Sequence, residues 1–156
     1  ACIKYLRENG WINFRMRAMI MSFASYNLWQ PWQITSPLLA ELFVDYEPGI
    51  HIPQVQMQSG VTGINLPRIY SVTKQSRDQD KNALWIKKVI PSLAMFEPDD
   101  IHDAKLNDDY IPPIVDLKES SKYARDKIWS VRKDQEFKNI ARTVYLKHGS
   151  RKRRNA

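Results

Sequence analysis

Residues 9–32 read N-G-W-I-N-F-R-M-R-A-M-I-M-S-F-A-S-Y-N-L-W-Q-P-W, and the spacing within that run decides the fold class. Ile12, Met16, Met19, Ile20, Phe23 and Ala24 recur at the three- and four-residue interval of one helix face. Nearly every other position is small or aromatic, which suits a helix buried on most sides. The expected helix runs from about Ile12 to Trp29 and is stopped by Pro31. Upstream, residues 1–9 keep Ile3 and Leu6 three apart, and Asn9-Gly10 supplies a C-terminal stop.

Downstream, Thr35-Ser36-Pro37 has the form of a helix start, a hydroxyl cap with Pro in the first turn. The helix it predicts carries Leu38, Leu39, Leu42 and Phe43 as far as Asp45. From Tyr46 to Pro67 no period holds, and Pro48, Gly49, Pro53 and Gly60 interrupt the chain. A Gln-rich, weakly charged stretch of that kind predicts a long, ordered binding loop. Order resumes at Arg68-Ile69-Tyr70, and a short helix is expected from Asn82 to Val89, closed by Pro91. Residues 94–115 mix prolines with acidic pairs and suit a surface connector. A single long helix is then expected from about Lys118 to Lys147, with Ala124, Ile128, Val131, Phe137, Ile140, Ala141 and Val144 as its apolar stripe. No stretch alternates as a strand would. The class is all-α, one domain over residues 1–147 with long irregular loops, followed by a basic flexible tail at 148–156.

The chain has 156 residues, of which 43% are hydrophobic, enough for one domain with a real core. No apolar run approaches the ~18 residues of a membrane span, and no signal-peptide pattern opens the chain. Cys2 is the single cysteine, which excludes an internal disulfide and points to a reducing, cytoplasmic setting. The chain opens on Ala1 within a helical pattern, so it reads as part of a longer protein. The net charge of +7 is uneven. Residues 1–50 carry four cations and four carboxylates, 51–100 six and five, and 101–156 fourteen and eight. That excess fits either a solvated basic face or a polyanionic partner such as nucleic acid.

Arg15 and Arg17 lie about 200° apart on a helix, so they serve different faces. If Arg17 is buried it needs a carboxylate, and Asp45 and Glu47 are the nearest candidates. The pair reads either as a structural salt bridge or as a charged wall facing a cofactor. Trp11, Trp29 and Trp32 read as core aromatics or as members of a redox chain. His51, His102 and His148 show no metal-ligand spacing, and no metal site is expected. Phosphate-binding glycine loops and the nucleophile elbow are both missing.

The ordered set of motifs resembles the photolyase/cryptochrome family. Trp11-Ile12-Asn13-Phe14-Arg15-Met16-Arg17 is similar to the family's G-W-x-H-N-R-x-R, and Leu42-Phe43-Val44-Asp45-Tyr46-Glu47 follows at the family's spacing. Arg68-Ile69-Tyr70 resembles the R-I-F/Y before N-P-x-x-Q, here Ser71-Val72-Thr73-Lys74-Gln75. The helix beginning Trp85-Ile86 resembles F-I-R-x-W-x-P-E-L, and Tyr110-Ile111-Pro112-Pro113-Ile114-Val115-Asp116 resembles Y-P-x-P-I-V-D. The likeness spans residues 1 to about 130 and implies the C-terminal half of a helical FAD-binding domain.

By that resemblance, Arg17 and Asp45 form the salt-bridged pair beside the isoalloxazine of FAD, with Glu47 at its polar edge and His51 as the neighbour of the flavin N5. Arg15 would face a lesion-bearing DNA strand, with Gln56 as a second nucleic-acid contact. Trp32 matches the middle tryptophan of an electron-transfer chain. The implied reaction is light-driven repair of UV-damaged DNA, with reduced FAD giving an electron to a pyrimidine dimer (a carbon–carbon lyase). An antenna-pigment domain and much of the FAD site would come from the upstream remainder of the protein, so this chain alone is expected to be inactive. Phe14 stands where many photolyases have Asn, and the N-N-x-x-W-Q-W loop is here His51-Ile52-Pro53-Gln54-Val55-Gln56, without Trp. Both features favour a cryptochrome-type blue-light photoreceptor as the alternative. A non-catalytic, basic DNA-binding helical domain is the third reading.

Overall fold

The computed structural model describes residues 1–62, 68–106 and 110–149. All regular structure among the described residues is helical. Helix α1 (Cys2–Asn9) ends at Gly10, whose φ of 69° is the left-handed conformation that glycine adopts without strain. The Gly10 N–H donates to the Leu6 carbonyl at 2.7 Å, and the Gly10 carbonyl accepts from the Val44 N–H at 3.0 Å. This residue therefore ties the end of α1 to the segment just before Asp45. A Cβ at Gly10 would run into the Val44 side chain. Gly10→Ala combines that clash with left-handed strain and should cost about 1–3 kcal/mol. A chemical-denaturation midpoint equal to that of the parent would contradict it.

Helix α2 (Phe14–Ser22) starts at Asn13, whose side chain accepts the Met16 N–H at 3.0 Å. It continues as a π-helical turn over Phe23–Asn27 rather than as regular helix to Trp29. Turns of this kind re-aim side chains inside a helix. Here the turn buries Ser25, Tyr26 and Asn27 together, and Asn27 Nδ2 donates to Ser120 Oγ (2.9 Å) and Ser121 Oγ (3.0 Å). Ser25 Oγ, Tyr26 OH and Asn27 Oδ1 are buried and find no partner among the described residues. Burial alone pushes the Tyr26 phenol up to about 12.

Helix α3 (Trp32–Ala40) begins directly after Pro31, three residues before the expected hydroxyl cap. Pro31 itself holds the extended N-cap conformation, and Pro37 is carried inside at the cost of one backbone hydrogen bond. The helix also stops at Ala40, short of Asp45. The expected loop of 46–67 is corrected more substantially: Pro48–Gln58 is helix α4. The Glu47 side chain accepts the Gly49 N–H at 2.9 Å and Pro48 fills the first helical position, so these residues start a helix rather than break one. Gly63 and Pro67 of that expected loop lie outside the described residues.

Helix α5 (Val72–Gln79) is capped by the Ser71 side chain and buries none of its residues, so it left no apolar stripe to read. Helix α6 (Leu84–Val89) is where a short helix was expected, followed by a 3₁₀ turn at Pro91–Leu93. Helix α7 (Pro98–Asp103) occupies part of the expected connector. It is latched to α5 by Arg77, which pairs with Asp99 and Asp103, and by buried His102. A carbonyl can only accept, so His102 Nε2–H donates to Lys81 O (3.1 Å) and Nδ1 accepts the Ser76 hydroxyl (2.6 Å).

The single long helix expected at the C-terminus is two, α8 (Leu117–Lys133) and α9 (Gln135–His148). Between them Asp134 leaves the helical region and its side chain accepts the Phe137 N–H at 3.0 Å, capping α9. Residues 150–156 of the expected tail lie outside the described residues. Leu6, Ile12, Met21, Ala24, Leu39, Phe43 and Val55 form one core, and Ala83, Leu93, Ile101 and Leu106 a second. The first core is the floor of the site.

Candidate functional site

A cleft of about 290 Å³ opens between α2, the segment joining α3 to α4, and α4. Ile12, Met21, Leu39, Phe43 and Val55 give it an apolar floor, while Arg17, Asp45, Glu47, His51, Gln54 and Gln58 bring polar groups to it. This mix of apolar wall and few convergent polar groups is that of a small-molecule pocket at the low end of the usual size range, with room for one ring system.

Arg17 organises one wall. Its Nη2 donates to both Asp45 oxygens (3.0 and 2.8 Å), and its Nε donates to the Ile12 carbonyl at 2.8 Å. The guanidinium also lies 4.1 Å from the centroid of the Phe43 ring. Three anchors leave the charge little freedom. The pair is not buried, however: the side chains are 27% and 46% exposed. The condition of a buried arginine is thus only partly met, and water at Asp45 lowers what the pair contributes to stability.

His51 stands one turn into α4, its ring set edgewise to Phe43 and Tyr46. Its Nε2 lies 3.1 Å from the Ser36 carbonyl and 3.0 Å from Ser36 Oγ. The carbonyl requires a proton on Nε2, which leaves Nδ1 as the acceptor of the neutral ring. Burial holds the His51 pKa below its ordinary value; the bond to the Ser36 carbonyl opposes this and the Arg17 charge reinforces it. The unfolded chain, at about 6.5, therefore takes up this proton first as the pH falls. The stability contribution is complete above about pH 6.5 and is lost as the pH drops through that value toward the folded one. In melting-temperature profiles, His51→Gln should flatten the decline below about pH 6.5. Parallel profiles would contradict the assignment.

Glu47 lies at the rim, its carboxylate occupied in capping α4. Gln54 Oε1 is buried at the cleft and has no partner among the described residues. Gln54, Gln58, Tyr46 and Ile50 line the cleft without having been singled out in the sequence. The 47, 51, 54, 58 interval, a helical face, was the signal that could have found two of them, Gln54 and Gln58. Trp11 and Phe14, 50% and 57% exposed, stand at the mouth.

The other expected site residues lie elsewhere. Arg15 is on a different face of α2, exposed, donating from Nη1 to Gln75 Oε1 at 3.1 Å. Trp32 packs half-buried against the first core and does not line the cleft. The Gln56 carbonyl accepts from the Val61 N–H and the Ser59 hydroxyl, and the residue does not line the cleft. Among the described residues no three His, Cys, Asp or Glu side chains converge as metal ligands, and no helix is long and apolar enough to cross a membrane.

Residues 1–130 match the family model described as the FAD binding domain of DNA photolyase. A deoxyribodipyrimidine photo-lyase of Alkalihalophilus pseudofirmus is 27% identical over 139 residues, 80% of this chain and 29% of that protein. A cryptochrome DASH of Gloeobacter violaceus is 25% identical over 135 residues, 78% of this chain and 27% of that protein. Among solved structures, the photolyase of Sulfolobus tokodaii, crystallised with two FAD molecules, superposes with a TM-score of 0.76 at 26% identity, covering 82% of this chain and 30% of that one. A class III photolyase from Agrobacterium tumefaciens gives 0.76 at 22% identity, over 85% and 30%, a likeness of fold. The chain thus spans under a third of the length of the curated relatives it matches.

Proposed function

Since the chain belongs to the DNA photolyase FAD-binding family, we propose that its cleft holds the isoalloxazine end of FAD in a light-dependent DNA repair protein. The observation that carries this reading is the Arg17–Asp45 fork set over the Phe43 ring, beside a buried acceptor with nothing to accept from. A flat heteroaromatic ring with both donor and acceptor edges matches that set. Bound FAD would supply the light-driven electron that opens a pyrimidine dimer. The residues of this chain hold and shelter the ring. Arg17 and Asp45 present one fixed charge pair, Gln54 Oε1 accepts, and neutral His51 offers Nδ1. The apolar floor keeps water from that side.

Arg15, exposed on another face of α2, is assigned to the damaged strand together with Gln56, and Trp32 to electron relay through the first core. The setting proposed is cytoplasmic, with the rest of the protein completing the FAD site. Illuminating the holoprotein with blue light in the presence of a dimer-bearing oligonucleotide should restore intact pyrimidines. No repair from a fully reduced flavin would overturn the reading.

Phe14 favours a second reading. A large apolar ring, 57% exposed, stands at the cleft mouth where a polar group would be expected to greet a lesion. Cryptochrome-type signalling needs the flavin but no lesion contact. Flavin photoreduction without repair would select it.

A further inference from the structure

Helix α9 lies beyond residues 1–130, the part of the chain that the photolyase family model matches. It packs against α8, yet buries none of its residues and contributes to neither core nor to the cleft. At 100° per residue, Phe137, Ile140, Ala141 and Val144 fall within an arc of about 100°. An amphipathic helix usually turns such a stripe onto a core. Here it stays outside: Ile140 is 57% exposed and Val144 51%.

The charge of the chain gathers at the same place. Residues 135–156 hold seven of the 24 cations and one of the 17 carboxylates, so +6 of the net +7 lies there. Lys138 and Lys147 flank the apolar stripe on opposite sides, and Arg142 stands behind it. All three are exposed and pair with no carboxylate among the described residues. An anionic partner is therefore favoured, and the stripe selects its kind. Nucleic acid is held by cations and stacking rings and makes no use of aliphatic side chains. A protein groove takes large anchors from a helix. The one ring of this stripe, Phe137, is half-buried, 5.9 Å from the Arg132 guanidinium. What faces outward is shallow and aliphatic, edged by lysines whose stems lie along apolar surface while the ammonium groups stay in water. Those are the features of a helix lying in the headgroup boundary of a bilayer. With 14 residues it is too short to cross one.

We infer that α9, together with the basic run at residues 151–154 that follows it in the sequence, is a membrane-surface arm for anionic phospholipid. Ile140 and Val144 enter the headgroup boundary, and the cations meet the lipid phosphates and carboxylates. The arm is reversible, because its electrostatic part is screened by salt. It stands apart from the flavin reading, which uses no residue of α9.

The test is co-sedimentation of the full-length protein with vesicles of phosphatidylcholine alone and with phosphatidylserine added, over a range of salt. Binding is expected only with phosphatidylserine and should weaken as salt rises. Lys147→Ala should weaken it about fivefold. The double variant Ile140→Ser/Val144→Ser, which leaves the charge unchanged, should weaken it about tenfold or more. All three side chains are exposed, so the melting temperature should stay as in the parent. Absence of phosphatidylserine-dependent binding would overturn the inference. So would a serine double variant that binds these vesicles as the parent does, since charge alone would then hold the helix as it holds any basic arm on a polyanion. Vesicle binding with both variant effects, by a parent that takes up no FAD, would support the arm and refute the flavin reading.

Discussion

Asp45→Asn should weaken FAD binding by roughly 10–100-fold while lowering stability by about 1 kcal/mol or less. Affinity falls because Arg17, released from Asp45, no longer presents one fixed direction to the ring, and the bonds that held it set the upper limit of that loss. Asp45 receives two charge-assisted hydrogen bonds from Arg17, and bonds of that type contribute about 1.5–3 kcal/mol, each 1.4 kcal/mol being tenfold in affinity. An amide keeps the shape but offers one weak acceptor, so the guanidinium loses its fixed direction. The second figure follows from exposure. Asp45 is 46% exposed and Arg17 retains its bond to the Ile12 carbonyl and its place over Phe43, so no charge is stranded in the interior. Flavin fluorescence titration and thermal melts on the same samples separate the two effects. A collapse in melting temperature with FAD affinity unchanged would make the pair a structural strut and remove it from the site.

Ile12→Ala should be the more damaging change to the fold, costing about 2–5 kcal/mol. Ile12 is 1% exposed, belongs to the first core and forms part of the cleft floor. Its carbonyl still receives Arg17 Nε in the variant, so the loss is one of packing rather than of hydrogen bonding. For a chain of this size the melting temperature should fall by about 5–15 °C. A shift within the error of the parent would mean that the floor collapses around the missing atoms without leaving a cavity.

These two residues show what the sequence made legible. Ile12 belongs to a strong three–four period, and Gly10 to a stop signal, so α1 and α2 could be read from local physics. The Arg17–Asp45 partnership spans 28 positions and was suggested by the cost of an unpaired charge; its exposure was not, because solvent access depends on how the segment after α3 lies. Helix α4 was missed for a different reason. Pro48 and Pro53 look like breakers when counted, but Pro48 at the first helical position and Glu47 as its cap start a helix. Missing α4 hid Gln54 and Gln58, because their claim on the cleft depends on helical spacing from His51. Asp134 shows the converse: a continuous apolar stripe concealed a break that one side-chain cap produces. The α5–α7 latch was beyond reach, since Ser76, His102 and Lys81 meet only through the chain's long-range packing.

We propose that the α2–α4 cleft seats a photoactive flavin. The most direct measurement is the visible absorption spectrum of the purified full-length protein before and after blue illumination with a reductant. Oxidised-flavin bands that bleach under light in the parent, and that fade from the purified Asp45→Asn variant, are the predicted result. A colourless parent that takes up no added FAD would empty the cleft of this role, and a variant that keeps its flavin as tightly as the parent would place the ring away from the Arg17–Asp45 pair.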